Sequence, residues 1–425
     1  MYPKYLPAFL ILTFFSFQLF AQYDAPLYAS YTTKAARDKM YHNIIANTIN
    51  KNLSFTLNDE TEEKWEEAFT AMEVMLYKTP FTDSKILSAL DSINQRSVHF
   101  QRSLVQLLYA IYPNEFHDKV YQFLLSTTDT KLFASCAEYL MISKKDTSLI
   151  ENLSNLIIEK FADSAISDPV LYMLQLHMSE VKKGNAGISK NNLKLIFSEN
   201  FLPGKIVMYS IQRSDRNYPG MVIIRNAQGK FITDSSGSVF HIPQLARSNT
   251  NMPGYLFQGN TPQGIFLMNG FGVSMSSFIG PSANVQMSMP FETSVKKFLG
   301  DSSISDTLWK VDYYNRLIPA PLRNHLPLYY SYYSGQAGRR EIIAHGTTVD
   351  PKYYLNQPYY PLTPSQGCLC AREVWNGKRM ESDQQKLVNG LLKAGGANGY
   401  CLVIEIDNKK APVEIRDISP YLNAR

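Results

Sequence analysis

Between about residues 59 and 177, apolar residues recur at spacings of three and four, the period of helices that bury one face. Trp65, Ala68, Phe69, Met72, Met75 and Leu76 form one such stripe. Asp59, with Glu62 three positions later, supplies a capping pair at its start, and Pro80 is expected to end it. A second helix is predicted through Leu104, Leu108, Ile111 and Tyr112 as far as Pro113, and a third through Leu132, Cys136 and Leu140. Shorter helical stretches are expected over 85–93 and 117–125. The long stripes return roughly every 30 residues, an interval that fits a small helical-repeat array of the HEAT kind or an irregular bundle.

The period then changes. Residues 182–192, with Gly184, Asn185 and Gly187, are read as a boundary. Short apolar or β-branched runs at 205–211, 221–225 and 230–233 follow, separated by turn-forming segments at 217–220 and 226–229, which is the signature of a β-meander. Another strand is predicted at 401–406 and one helix at 382–393. The fold class expected is therefore α+β and multidomain: a helical domain over 22–190, then a β-rich domain over 203–425.

The first residues change the picture of where the protein works. Lys4 precedes an apolar run over 6–20 that only Thr13, Ser16 and Gln18 interrupt, and Ala21 offers a small residue before a cleavage point. This pattern is that of a secretory signal peptide, assigned to 1–21, and the run is short for a bilayer span. An uncleaved membrane anchor is the alternative. No Cys stands at the cleavage point, which argues against a lipoprotein. The expectation is an exported chain in the periplasm or cell envelope, with no transmembrane segment after cleavage. Its 425 residues suffice for two or three domains, and a net charge of +5 without basic blocks gives no sign of nucleic-acid binding.

Four Cys are present, Cys136, Cys368, Cys370 and Cys401, too few in an exported chain of this length for a disulfide framework. Cys136 falls on a helical apolar stripe and reads as a buried thiol. Cys368 has more around it. The run Ile342-Ile343-Ala344-His345-Gly346-Thr347 is an apolar strand ending in a His, followed later by Ser365-Gln366-Gly367-Cys368. Acyl transfer through a thiol needs a thiolate, an imidazole to support it and N–H donors for the oxyanion. A Gly before the Cys allows the tight turn that brings a carbonyl to the sulfur. For Cys368 and Cys370 the other readings are a disulfide, strained across one intervening residue, or a zinc pair completed by Cys401 and His345. A Cys370–Cys401 bridge is also open.

These segments resemble the catalytic domain of L,D-transpeptidases (the YkuD-like family). That family has a His-Gly strand end, then a Ser-x-Gly-Cys segment, and upstream a Thr-Pro-x-Gly-aromatic segment. Here His345-Gly346, Ser365-Gln366-Gly367-Cys368 and Thr261-Pro262-Gln263-Gly264-Ile265-Phe266 carry the likeness. The resemblance covers about 205 to the C-terminus. It implies that Cys368 is the nucleophile and His345 its imidazole, oriented by a backbone carbonyl. It places Gly367, Ser365 and Gly346 in the catalytic loops, with neither metal nor organic cofactor. The implied substrate is a peptidoglycan stem peptide, cleaved before its terminal D-Ala through a thioester. Cell-wall hydrolases of the NlpC type place Cys before His, whereas His345 comes first here.

This chain departs from the family in having Cys370 where an Arg or Asn is common, with Arg372 close by, and in an apparent insertion over 350–361. Arg339, Arg340 and Arg372 are candidates to grip a substrate carboxylate, and Thr261 is a candidate contact. The Tyr-rich stretch over 313–360 either lines a cleft or packs a sheet face. The contrasting reading is a degenerate envelope scaffold whose helical domain binds a protein partner.

Overall fold

A helix in water needs a partner for its apolar stripe, and here each stripe finds one. A computed structural model describes Ser30 and residues 33–143, 146–162, 164–183, 187–274, 276, 278–375 and 380–422. The expected signal segment, Gly184 and Asn185 lie outside the described residues. The chain opens with α1 (Lys34–Asn43), which continues through a wider π-turn segment, Ile44–Asn50, and a final turn, Lys51–Ser54. Then come α2 (Glu62–Met75), α3 (Pro80–Asp91), α4 (Val98–Ile111), α5 (His117–Ser126), α6 (Thr130–Ser143), α7 (Thr147–Phe161) and α8 (Pro169–Lys183). Trp65, Phe69 and Met72 of α2 share one core with Phe100, Leu104 and Leu108 of α4 and Phe133 and Ala137 of α6. Burial of each large side chain stabilises the packing by about 1.5–3 kcal/mol.

Three local expectations fall differently. Pro80 starts a helix: α2 stops at Met75, Leu76 turns left-handed with φ 48°, and Pro80 is the first residue of α3, capped by Thr79. The proline has no N–H to leave unpaired at that position. Asp59 and Glu62 form no capping pair; both carboxylates reach Arg96, at 2.8 and 3.3 Å, because the helix starts at Glu62 itself. The segment 182–192 is largely helical at both ends, since α8 runs to Lys183 and α9 (Lys190–Phe197) is capped by Ser189.

The second half is built on one nine-stranded mixed sheet, so the fold is α+β with a helical N-terminal region. Its strands are β1 (Ile206–Arg213), β2 (Gly220–Arg225), β3 (His241–Gln244), β4 (Gly264–Gly272), β5 (Asn284–Ser288), β6 (Ala344–Thr347), β7 (Leu369–Trp375), β8 (Met380–Ser382) and β9 (Asn398–Asp407). Their order is β3-β2-β1-β9-β4-β5-β6-β7-β8. β1, β2 and β3 form the antiparallel meander. The run at 230–233 contributes only isolated bridges, Arg225 to Phe231 and Thr233 to Val239. Helices α10 (Tyr330–Gln336) and α11 (Asp383–Ala394) pack on the sheet.

The sheet curls until its meander edge meets β7. Leu245, just past β3, exchanges two main-chain hydrogen bonds of 2.8 Å each with Cys370. Apolar side chains fill both faces: Val207, Tyr209, Ile265 and Leu402 on one, Met208, Phe266, Leu369 and Val403 on the other. The tyrosines mostly serve this packing. Tyr314, Tyr329, Tyr332, Tyr354 and Tyr359 are buried, and the Tyr314 hydroxyl receives the Ile265 N–H at 2.8 Å.

The helical and sheet parts interlock. Met252, Tyr255 and Leu256 from a sheet loop sit in the helical core. The segment 350–361 does the converse: Tyr354 and Tyr359 pack with Leu245 and Leu362 against Val74 and Leu76, and the Tyr354 hydroxyl donates to the Val74 carbonyl. The apparent insertion is thus a strap between the two parts. Among the described residues no helix is long and apolar enough to cross a membrane.

Candidate active site

The loop before β7 is held from three sides. Thr261, fully buried, donates its hydroxyl to the Gly367 carbonyl at 2.8 Å. Buried Arg339 donates to the carbonyls of Gln366 at 3.0 Å and Gly259 at 2.8 Å. The main chain at Ser365 bridges to Ser248, and the Asn249 N–H donates to the Ser365 carbonyl at 2.7 Å. Within the loop, Ser365 Oγ accepts the Gly367 N–H and donates to the Cys368 carbonyl, both at 3.1 Å. Gly367 has φ 115°, and a Cβ there would lie 1.9 Å from the Arg339 guanidinium and 2.3 Å from the Gly259 carbonyl. Only glycine fits.

These contacts set Cys368, half-buried, on the wall of a cleft of about 620 Å³. Its Sγ lies 3.6 Å from the Glu341 carbonyl. Burial pushes the thiol up from its ordinary pKa; the Ile343 N–H and the Arg339 charge pull it down, and Glu341 adds to the rise. Among the described residues the Cys368 amide has no acceptor. The Gly367 amide is taken by Ser365.

His345 stands on β6, and the parallel ladder sets it opposite Cys370 on β7, so both side chains leave the same face. Its Nδ1 donates to the Gly346 carbonyl at 2.7 Å, while Nε2 lies 3.6 Å from Cys370 Sγ. Burial alone would push the imidazole pKa down; Cys370, the Gly346 carbonyl and Glu373 together bring it above its ordinary value. No hydrogen bond joins His345 to Cys368 among the described residues, although both line the same cleft. Cys370 is sealed, with no exposed surface.

On the opposite face of β7 lies Glu373, buried, with Oε1 receiving the Ser382 hydroxyl at 2.6 Å and Oε2 without a hydrogen-bond partner. Burial raises its pKa, with Ser282, Ser382 and His345 opposing. The carboxyl sits against Gly346, where a Cβ would come within 2.0 Å of Oε2.

The three arginines separate. Arg339 is structural to the Cys368 loop and, buried, has its pKa lowered to about 10. Arg340 is exposed. Arg372 turns to Asp383 at 3.4 Å and Glu381 at 3.9 Å and does not line the cleft. The far wall is helical: Met40 and Ile44 of the first helix and Glu67, Thr70, Val74 and Met75 of α2 face Phe278, Ile279 and Tyr353. All four cysteines are free thiols. Cys136 and Cys401 are fully buried, which raises both.

No family model, curated protein or solved structure matches the chain.

The geometry of the site brings Cys368, Gly367, Ser365, Thr261 and Arg339 into one loop assembly and His345 onto the same cleft, with Gly346 turned to Glu373 on the other face. Arg340 and Arg372 stand apart. Sequence reasoning missed the helical wall, the Cys370–His345 contact and Glu373. Only Gly346 hinted at the last, as a strand glycine beside which another chain approaches closely.

Proposed function

We propose that the protein is an exported cysteine acyltransferase of the L,D-transpeptidase kind, acting on peptidoglycan stem peptides in the periplasm or cell envelope. The observation that carries this reading is the presentation of Cys368 on a cleft wall by a glycine turn, beside an imidazole whose Nδ1 is held by its own main chain. A backbone carbonyl as the third member of the triad is what the sequence resemblance implies, and the Gly346 contact at 2.7 Å fits that role. The Cys368 thiolate would attack the carbonyl that precedes the terminal D-Ala. The C–N bond breaks, D-Ala leaves as an amine after taking a proton, and a thioester to Cys368 remains. The Cys368 amide, which has no acceptor among the described residues, would donate to the oxyanion. An amine of a second stem, or water, then takes the acyl group and returns the thiol. The helical part, read as a small repeat array or bundle, contributes one wall of the cleft and has outer faces for a protein partner.

A second reading is a non-catalytic envelope scaffold. It draws on the engagement of His345 by Cys370 and on the raised thiol of Cys368. Incubation with purified muropeptides, followed by product masses, separates the two. Cross-linked dimers would identify a transpeptidase and loss of D-Ala alone a carboxypeptidase. Unchanged muropeptides would contradict the enzymatic reading.

A further inference from the structure

The imidazole on the cleft has only one free position. Its Nδ1 faces the Gly346 carbonyl, which can only accept, so Nδ1 carries the proton. In the neutral ring Nε2 is therefore the acceptor, and the group 3.6 Å from it is the Cys370 thiol. The main chain of Cys370 is held on both sides. It is bonded on one side to Leu245 by two hydrogen bonds of 2.8 Å and is paired on the other with His345 itself. The Cys368 sulfur, meanwhile, lies 3.6 Å from the Glu341 carbonyl and makes no hydrogen bond to His345 among the described residues. The accessible thiol and the base are thus neighbours on one cleft with no bond between them.

We propose that Cys370 is a positioning residue that, by occupying Nε2 of His345, restrains the base from activating Cys368 in the resting protein. The inference rests on the functional reading above only in taking Cys368 as the reacting thiol. Activation then consists of the transfer of Nε2 from one sulfur to the other. Of the titratable groups around this pair, Glu373 lies behind Gly346, Tyr354 beside Cys370, and Glu67 on the wall of the cleft that His345 also lines. The Tyr354 hydroxyl goes to the Val74 carbonyl, Glu67 accepts from Asn52 and Glu373 from Ser382, and none of the three bonds Nε2 among the described residues.

The test is the rate of iodoacetamide alkylation of Cys368 as a function of pH, read by peptide mass mapping on the full chain. Removing the competing thiol with Cys370→Ala should raise the rate at pH 7 roughly tenfold, the gain in thiolate fraction that one unit of thiol pKa provides. It should also introduce a step in the profile in the range of imidazole titration. Cys370→Ser keeps a donor to Nε2 and should stay near the wild-type rate, which guards against reading a packing defect as activation. The gain should vanish in the double variant His345→Ala, Cys370→Ala. Equal rates and profiles for wild type and Cys370→Ala would overturn the restraint while leaving Cys368 as the nucleophile. Cys368 that reacts in neither protein would overturn both that assignment and this inference.

Discussion

Cys368 and Cys370 stand two residues apart and share almost nothing. Cys368 ends a loop tied down by Thr261, Arg339 and Ser365, reaches a cleft, and lacks the imidazole. Cys370 lies inside a strand at the seam where the curled sheet closes, has no exposed surface, and holds the imidazole. Access and activation, which a thiol enzyme needs in one place, are divided between neighbours. The difference comes from the main chain: a glycine turn with φ 115° presents one sulfur outward, and a ladder on both sides holds the other in register.

The largest test of this contrast is to delete each sulfur. Cys368→Ala should reduce turnover of muropeptides by at least about 10³-fold, measured by product mass, whereas Cys370→Ala, which frees the base, should raise it. Next comes the turn. Gly367→Ala puts a methyl into the Arg339 guanidinium and the Gly259 carbonyl in a backbone region that alanine resists. It should destabilise the protein by about 1–3 kcal/mol from backbone strain alone, seen as a lower Tm, and cut turnover roughly hundredfold by misplacing the sulfur.

The loop half of this contrast is legible in the amino-acid sequence, and the strand half is not. Ser365-Gln366-Gly367-Cys368 is a local signal: a glycine that must turn and a thiol next to it, readable from neighbouring letters. The pairing of His345 with Cys370 depends on the register of β6 against β7, and no local pattern sets that. The same limit explains the helices. The stripes through Trp65, Leu104 and Leu132 identify α2, α4 and α6, while Pro80 misleads because a proline marks a helix start as readily as an end. β4 and β5 lie in the extended Gly-rich stretch, where no clear alternation marks them as strands. The closure at Leu245 joins residues far apart in sequence, and the cleft wall from α1 and α2 comes from a half the family resemblance does not cover.

Smaller perturbations should sharpen the contrast without destroying it. Thr261→Val leaves the Gly367 carbonyl buried and unpaired and should lower stability by about 1–3 kcal/mol in denaturant titration, with the effect on Cys368 reactivity exceeding any on the Cys370 side. Glu373→Gln is the mildest. Burial raises the Glu373 pKa above its unfolded value, so the native state binds that proton more tightly. Wild-type stability should therefore fall as pH rises from the ordinary glutamate range, about 4.3, towards the raised native value. The glutamine variant should lack this decline, matching wild type in acid and exceeding it above neutrality, as followed by Tm across pH.

The most direct measurement is the intact mass of the protein after exposure to a carbapenem, with the adduct mapped to a residue, because a thiol with the proposed L,D-transpeptidase activity would be acylated by these β-lactams. A single adduct on Cys368, absent from Cys368→Ala and retained by Cys370→Ala, is the result expected. An adduct on Cys370, one that survives Cys368→Ala, or no adduct on the wild type would contradict it.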